Sequence, residues 1–399
     1  MTASRRQPIS PIGPIQSDQS SQIGPIEPKR PFFLSGFPMA GFGKAYSPIG
    51  IDLQAASCKL LQMHSSGGET GIAALASVEF SGNILNLEEG QPDGLVHALK
   101  TALKENGFHG STAVMTVPQQ KIDVRTLTLP GPEVDLEKVL RWEAEAYLHY
   151  DINSACMDYT KVGEITAGSE KRMEVLVAAI NRDYLQAVLH WLSAAGIEVA
   201  VVDVVPMALA RLGTCPRLQY ETESLGMLDI GRSTTTAAVL NKGELRLTRN
   251  INRGGDELTA RICDSLEIAN DEAELLKREY GTGLPGRHNL YSEQELLTRT
   301  EIAGTIHEIL RHDLEEMAAE VQKLYRYFST QCKGATAQKG YLCGGGGRMS
   351  GLDEFLSQHT GLAFEKLPPL NELFAWKTDT AIEAGPEFAV SAGLALRKL

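Results

Sequence analysis

A chain of 399 residues, 43% of them hydrophobic and 22% charged, is long enough for two packed lobes. Its formal net charge of -12 at pH 7 excludes a broad nucleic-acid surface, because phosphate backbones are bound through basic clusters and the chain carries none. No apolar run reaches the roughly 18–20 residues of a membrane span, no signal-peptide core opens the chain, and Arg5-Arg6 leads into Pro and Gly rather than an export signal, so a cytoplasmic protein is expected. Cys58, Cys156, Cys215, Cys263, Cys332 and Cys343 lack metal-type spacing and are expected as buried thiols.

Residues 1–46 are rich in Pro, Ser, Gln and Gly and repeat Ile12-Gly-Pro-Ile15 as Ile23-Gly-Pro-Ile26, the composition of a disordered tail. Its apolar end, with Phe32, Phe33, Leu34, Phe37 and Phe42, fits a docking peptide, a membrane-surface contact or packing onto the domain. Ile49 to Met63 then reads as strand, polar turn and strand, with Asp52 at the end of the first strand. Strand-like segments at 72–90, a helix at 93–106 and a buried strand from Ala113 to Pro118 follow. Residues 119–200 read as an inserted α/β module: strand Val124 to Leu129, a breaker at Pro130-Gly-Pro132, a helix capped by Asp135, strands Met157 to Val162 and Met173 to Ile180, and a helix from Asp183 to Ala195. Leu136, Val139, Leu140, Glu143, Ala146 and Tyr147 trace the capped helix's stripe, and Trp142 and Tyr147 are expected to pack. Val199 to Val205 is expected as a buried strand, with a short helix after Pro206.

The second half opens with Leu228-Asp-Ile-Gly-Arg-Ser-Thr-Thr-Thr-Ala-Ala-Val-Leu240, a hairpin whose turn suits a phosphate. Gly231 permits a tight turn, Ser233 to Thr235 offer hydroxyls and backbone N–H groups, and Asp229 beside them can hold a hydrated divalent cation. Turns of the Asp-x-Gly type also join ordinary strands, so both readings stand at this point. Asp52 occupies the matching place in the earlier hairpin, which implies two lobes of related design. A strand at Glu244 to Ile251, the Arg253-Gly-Gly-Asp256 loop, a helix from near Glu257, a charged helix at 270–280, a loop at 281–292 and an amphipathic helix from Glu295 to Gln331 follow. Strand Gly340 to Cys343, the glycine run Gly344 to Gly347, a helix near Leu352 to His359 and a last helix from Pro386 to Arg397 close the chain. Asp203, at a strand end, fits either a cap or a residue orienting a catalytic water; His307 and His312 have the wrong spacing for a zinc pair.

These pieces resemble the actin-like ATPase superfamily and, within it, the PilM family of type IV pilus assembly proteins, relatives of the cell-division protein FtsA. The motifs that carry the likeness are Ile49-Gly-Ile-Asp52, Trp142-Glu-Ala-Glu145, Val205-Pro-Met-Ala-Leu209, Arg253-Gly-Gly-Asp256, Glu274-Leu-Leu-Lys277, Tyr341-Leu-Cys-Gly-Gly-Gly-Gly347 and Ala389-Val-Ser-Ala-Gly-Leu-Ala395, in that order over residues 48–399. The resemblance implies a bilobed α/β fold of ribonuclease-H-like lobes: a first lobe at 47–225 with the insertion at 119–200, and a second at 226–399 with a helical subdomain at 256–334 and a C-terminal helix returning to the first.

It further implies ATP and Mg2+ in the interlobe cleft. Asp52, Ser57 and Lys59 would belong to one phosphate hairpin and Asp229, Gly231, Ser233 and Thr234 to the other. Asp52 and Asp229 would serve the metal, Gly344, Gly345 and Gly346 would approach the adenosine, and Met349 would cover the base. The implied partners are the cytoplasmic N-terminal peptide of a PilN-like inner-membrane protein and other pilus motor or platform proteins, with peripheral attachment to the inner membrane. The chain departs from the family where Gln54 and Ala55 stand in place of Gly and Ser or Thr, which predicts weakened nucleotide binding and slow or absent hydrolysis. A small-molecule kinase of the same architecture and an FtsA-like polymerising protein are the alternative readings.

Overall fold

Two stretches of chain, each an apolar strand running into an aspartate and a polar turn, begin two sheets with the same strand order. The computed structural model describes residues 46–399 except 87–89, 91, 93, 131–134, 168–169, 219–222, 283–292, 333–334, 336 and 377–383. The tail expected at 1–46 lies outside the described residues save Tyr46, which bridges to His64.

In the first lobe β1 (Ile49–Leu53), β2 (Ser57–Ser66) and β3 (Glu69–Glu79) form an antiparallel meander, and after α1 (Leu95–Glu105) the strand β4 (Thr112–Thr116) lies parallel to β1. All five residues of β1 are buried, as in a strand covered on both faces. The chain then leaves this sheet to build a three-stranded one, in which β5 (Ile122–Pro130) and β6 (Ala155–Ala167) flank β7 (Glu170–Asn181). Between β5 and β6, α2 (Leu136–Glu145) begins at Asp135, whose carboxylate accepts the Lys138 N–H. Leu136, Val139 and Leu140 cover Leu127, Leu129, Val175 and Val177. Trp142 does not pack: two residues past Leu140 it lies ~200° round the helix, on the outer side, and is 72% exposed. Tyr147 is half-buried under the Arg125 guanidinium, 3.9 Å from its ring centre.

After α3 (Arg182–Ala194), capped by Asn181, the strand β8 (Glu198–Val202) pairs in parallel with β4. The stretch expected in the insertion up to residue 200 therefore rejoins the first sheet, and the insertion's own sheet stops at Asn181. β8 alternates exposed and half-buried residues instead of being buried, because a Val-rich run looks the same at the end of a sheet as in its middle. α4 (Val205–Gly213) leads out of the first lobe.

The second lobe repeats the plan. β9 (Ser224–Ile230), β10 (Thr235–Asn241) and β11 (Glu244–Ile251) form the meander, followed by α5 (Gly255–Leu266), α6 (Asn270–Tyr280) and α7 (Glu293–Gln331). β12 (Lys339–Cys343) then runs parallel to β9, and after α8 (Leu352–Thr360) β13 (Ala363–Lys366) runs parallel to β12. The order β11-β10-β9-β12-β13 matches β3-β2-β1-β4-β8 strand for strand. Ile306, Leu310, Leu314, Met317, Val321, Leu324 and Phe328 recur at helical spacing on α7 and bury it against this sheet's apolar core.

α9 (Leu370–Leu373) and β14 (Ala375–Trp376), which pairs with β3, bring the chain back to the first sheet. α10 (Ala389–Ala395) then packs on α4 and β1. The approach is close: a Cβ on Gly393 would strike the Ala208 carbonyl, and one on Gly50 the Ser391 carbonyl. Asp203 fastens this junction rather than facing the cleft. It is fully buried, accepts from Arg397 at 2.6 Å, from Arg211 and from the Val204 N–H at 2.7 Å, while Arg211 Nε donates to the Gly393 carbonyl at 2.8 Å. The catalytic-water reading of Asp203 is thus replaced by a structural one. A buried carboxylate between two guanidiniums is a lock whose loss costs about 3–5 kcal/mol.

Candidate functional site

The first turns of the two meanders face each other across a cavity of about 430 Å³ between the lobes. Asp52, Ser57 and Lys59 line it from one side and Asp229 and Gly231 from the other, with Gly344, Gly345 and Gly346 between. A smaller chamber continues between the turn tips, lined by Gln54, Ser57, Gln119, Ser233 and Thr234. Ten of the eleven residues expected to bind a nucleotide thus meet in one place. Met349 does not: it is 2% exposed in the second lobe's core and lines neither space. The family resemblance implied a place over the base, but after the turn Gly346–Arg348 the residue is buried.

The second turn is firmly built. The Gly231 N–H donates to the Thr234 carbonyl at 2.9 Å, and the Gly231 and Arg232 carbonyls accept the Gly255 and Asp256 N–H groups at 3.0 and 2.8 Å, tying the turn to the start of α5. Arg232 pairs with Asp256 at 2.9 Å on the outside. Gly344 has φ +77°, and a Cβ there would collide with the Ile230 carbonyl and lie 2.7 Å from Asp229 Oδ1, so only glycine lets this backbone pass the carboxylate. Gly345 has nothing within 4 Å of its Cβ direction and opens onto the cavity.

The two aspartates differ in what surrounds them. Burial, then the nearby Asp52 charge, push the Asp229 carboxyl up to about 7 against the opposing Lys59 ammonium. Among the described residues no side chain hydrogen-bonds to Asp229, so its charge is free for a ligand. Asp52 is already engaged, accepting from Thr116 Oγ1 at 3.1 Å on one oxygen and from Gln54 Nε2 at 2.9 Å on the other. Two facing carboxylates, one pushed up first by burial and then by the other's charge, fit a divalent cation, which would relieve both. Asp229 is the better placed of the pair to hold it.

A further part of the cavity's lining, beside the start of α5, was not assigned from the sequence. Lys277 is 5% exposed and donates to the Gly255 carbonyl at 3.0 Å, to Thr259 Oγ1 at 2.8 Å and to Glu274. Burial opposes the charge on Glu274, but Lys277, Thr259 and Arg278 hold it below the usual carboxylate range. The Glu274-x-x-Lys277 spacing, which puts both on one helix face, was the available signal. Arg348 and Glu387, paired at 3.3 Å, line the same cavity; nothing local in the sequence marks them.

Two sheets that share a five-strand order, with aspartate turns facing across an interlobe cleft, define the actin-like fold. Solved structures share it. A PilM-PilN type IV pilus biogenesis complex contains a chain 25% identical with a TM-score of 0.68, covering 90% of this chain and 98% of that one. Ethanolamine utilization protein EutJ from Carboxydothermus hydrogenoformans is 17% identical with a TM-score of 0.50, covering 90% and 92%. Cell division protein FtsA of Bacillus subtilis is 23% identical over 288 residues, 64% of this chain and 62% of that protein, so the match spans less than two thirds of the curated relative. The family model for Type IV pilus assembly protein PilM matches residues 50–399, and the chain belongs to that family.

Proposed function

We propose that the chain is an actin-like scaffold of a type IV pilus inner-membrane assembly platform, in which Mg2+ and an adenine nucleotide act as a structural ligand or slow switch. The observation that carries this is the convergence of both aspartate turns and the Gly344–Gly346 turn on one interlobe cavity. Asp229 would hold the ion, the Gly231–Thr234 turn and Lys59 would cradle phosphates, Gly345 would let the backbone approach the nucleoside, and Lys277 and Arg278 would bound its far end. The bound ion would supply charge neutralisation. The chain's own groups bind and orient; cradling of this kind needs no covalent step.

The partner in this reading is the cytoplasmic N-terminal peptide of a PilN-like membrane protein, since a chain in a PilM-PilN complex is so similar in structure. The insertion supports it physically: β5 and β6 end a small sheet, and the exposed Trp142 gives its outer helix an apolar contact. No helix among the described residues is long and apolar enough to cross a membrane, so attachment would run through the partner. Co-purification with the PilN-like protein encoded in the same genome, lost when that protein's cytoplasmic N-terminal peptide is deleted, is the expected result. ATP consumption that depends on a small-molecule acceptor would instead favour a kinase.

A further inference from the structure

Gln54 and Gly231 hold the same place in the two turns. Each lies two residues after its aspartate, and each donates its backbone N–H to the carbonyl three residues on, Gln54 to Ser57 at 2.8 Å and Gly231 to Thr234 at 2.9 Å. Gly231 itself places no side chain in the cleft, whereas Gln54 places a carboxamide at the matching position of the other turn. Its carboxamide is engaged at both ends, Nε2 donating to Asp52 Oδ2 at 2.9 Å and Oε1 accepting from Ser57 Oγ at 3.3 Å. The amide oxygen thereby takes the hydroxyl a phosphate oxygen would use, and the amide N–H takes the carboxylate that a water on a metal ion would use. Ala55 and Ala56 offer this turn no other hydroxyl.

Position along the cleft decides which part of a ligand Gln54 displaces. The large cavity is lined by Lys277, Arg278, Arg348 and both aspartates, and the small chamber, which shares the aspartates with it, is lined by the turn tips at Ala55, Ala56, Ser233 and Thr234. Gln54 lines both, as do Asp52, Ser57, Asp229, Gly231 and Arg232, so it stands on the first turn's side of their junction. A nucleotide with its nucleoside against Gly344–Gly346 would lay its inner phosphates along Asp229 and the Gly231 turn, and its last phosphate would be the one to reach the first turn, where Gln54 stands. We propose that the Gln54 carboxamide occupies the terminal-phosphate position, making this cleft a nucleoside-diphosphate site. This rests on the nucleotide reading above and sharpens it: the departure at Gln54 does not weaken binding in general but selects the shorter ligand. An occupied terminal position also leaves nothing to hydrolyse, so the bound ligand is a fixture of the scaffold.

The test is calorimetric titration of the full-length wild type, Gln54→Ala and Gln54→Gly with Mg·ADP and with a non-hydrolysable Mg·ATP analogue, each protein first checked for cooperative melting. The wild type is expected to bind ADP roughly tenfold tighter than the analogue, the value of one charge-assisted hydrogen-bond set withheld from the last phosphate. Either substitution is expected to bring the two affinities within about threefold, mainly by strengthening the analogue. Gln54→Ala keeps the turn's backbone, so agreement between both variants excludes an effect of added glycine flexibility. Analogue binding as tight as ADP in the wild type, or an equal gain for both ligands in the variants, overturns the proposal while leaving the nucleotide site intact. Absence of both ligands from all three proteins rejects the site and the proposal together.

Discussion

The two aspartate turns share backbone register, neighbouring strands and a cavity, yet they spend their polar groups differently. Asp52 is satisfied within the protein by Thr116 and Gln54, whereas Asp229 has no side-chain partner among the described residues, with its carboxyl pushed up to about 7 by burial and by Asp52 itself. Strand order dictates where the turns lie; a single side chain, Gln54 against Gly231, dictates what each has left to offer a ligand. A site kept ready for a ligand carries unfavourable interactions that the bound ligand relieves, and a site closed by its own side chain does not.

The largest test of that asymmetry is to erase it. Gly231→Gln, which copies the first turn onto the second, is expected to reduce Mg·nucleotide affinity by ~100-fold, about 2.7 kcal/mol, measured by calorimetry. Equal affinity before and after would show that the second turn is not the phosphate cradle. Gly344→Ala is expected to cost about 2–3 kcal/mol in denaturant unfolding, because a left-handed backbone and a collision with the Ile230 carbonyl add to displacement of Asp229.

Two conservative changes should then move stability in opposite directions. A carboxyl whose folded pKa lies above its unfolded value of about 3.9 costs stability as pH rises between the two values and costs a constant amount above the higher one. Asp229→Asn is therefore expected to raise stability by about 1–2 kcal/mol at pH 8 without ligand, after allowance for solvent access, with the gain fading as pH falls from 7 towards 4. Gln54→Ala removes two satisfied hydrogen bonds and is expected to lower stability by about 1 kcal/mol. Thermal melts across pH decide both, and a destabilised Asp229→Asn at pH 8 would contradict the strain assigned to that turn. Smallest of all, Trp142→Ala should change folding stability by less than ~0.5 kcal/mol, because the ring is 72% exposed.

Much of the architecture was legible because apolar runs bounded by polar turns leave few alternatives: the buried β1, the meanders and the stripe on α7 all follow from local pattern. Both aspartate turns, and the misfit at Gln54, were legible as motif. What escaped depends on contacts distant in sequence. Thr116 reaches Asp52 from 64 positions away, and Asp203 is turned from the cleft by Arg397, 194 positions on. Trp142 was expected to pack although it lies off the stripe of Leu136, Val139 and Leu140, and Met349 was carried over from the family resemblance, which does not encode a turn's exit direction. The return of β8 to the first sheet could be seen only once β4 was known to lack a partner on that side.

Titrating Mg·ADP into wild type and Asp229→Ala tests the central claim most directly. A saturable heat at one site per chain in the wild type, absent from a folded Asp229→Ala, is the predicted result. Unchanged binding in the variant, or no binding in the wild type, would contradict a nucleotide cleft built on the second turn.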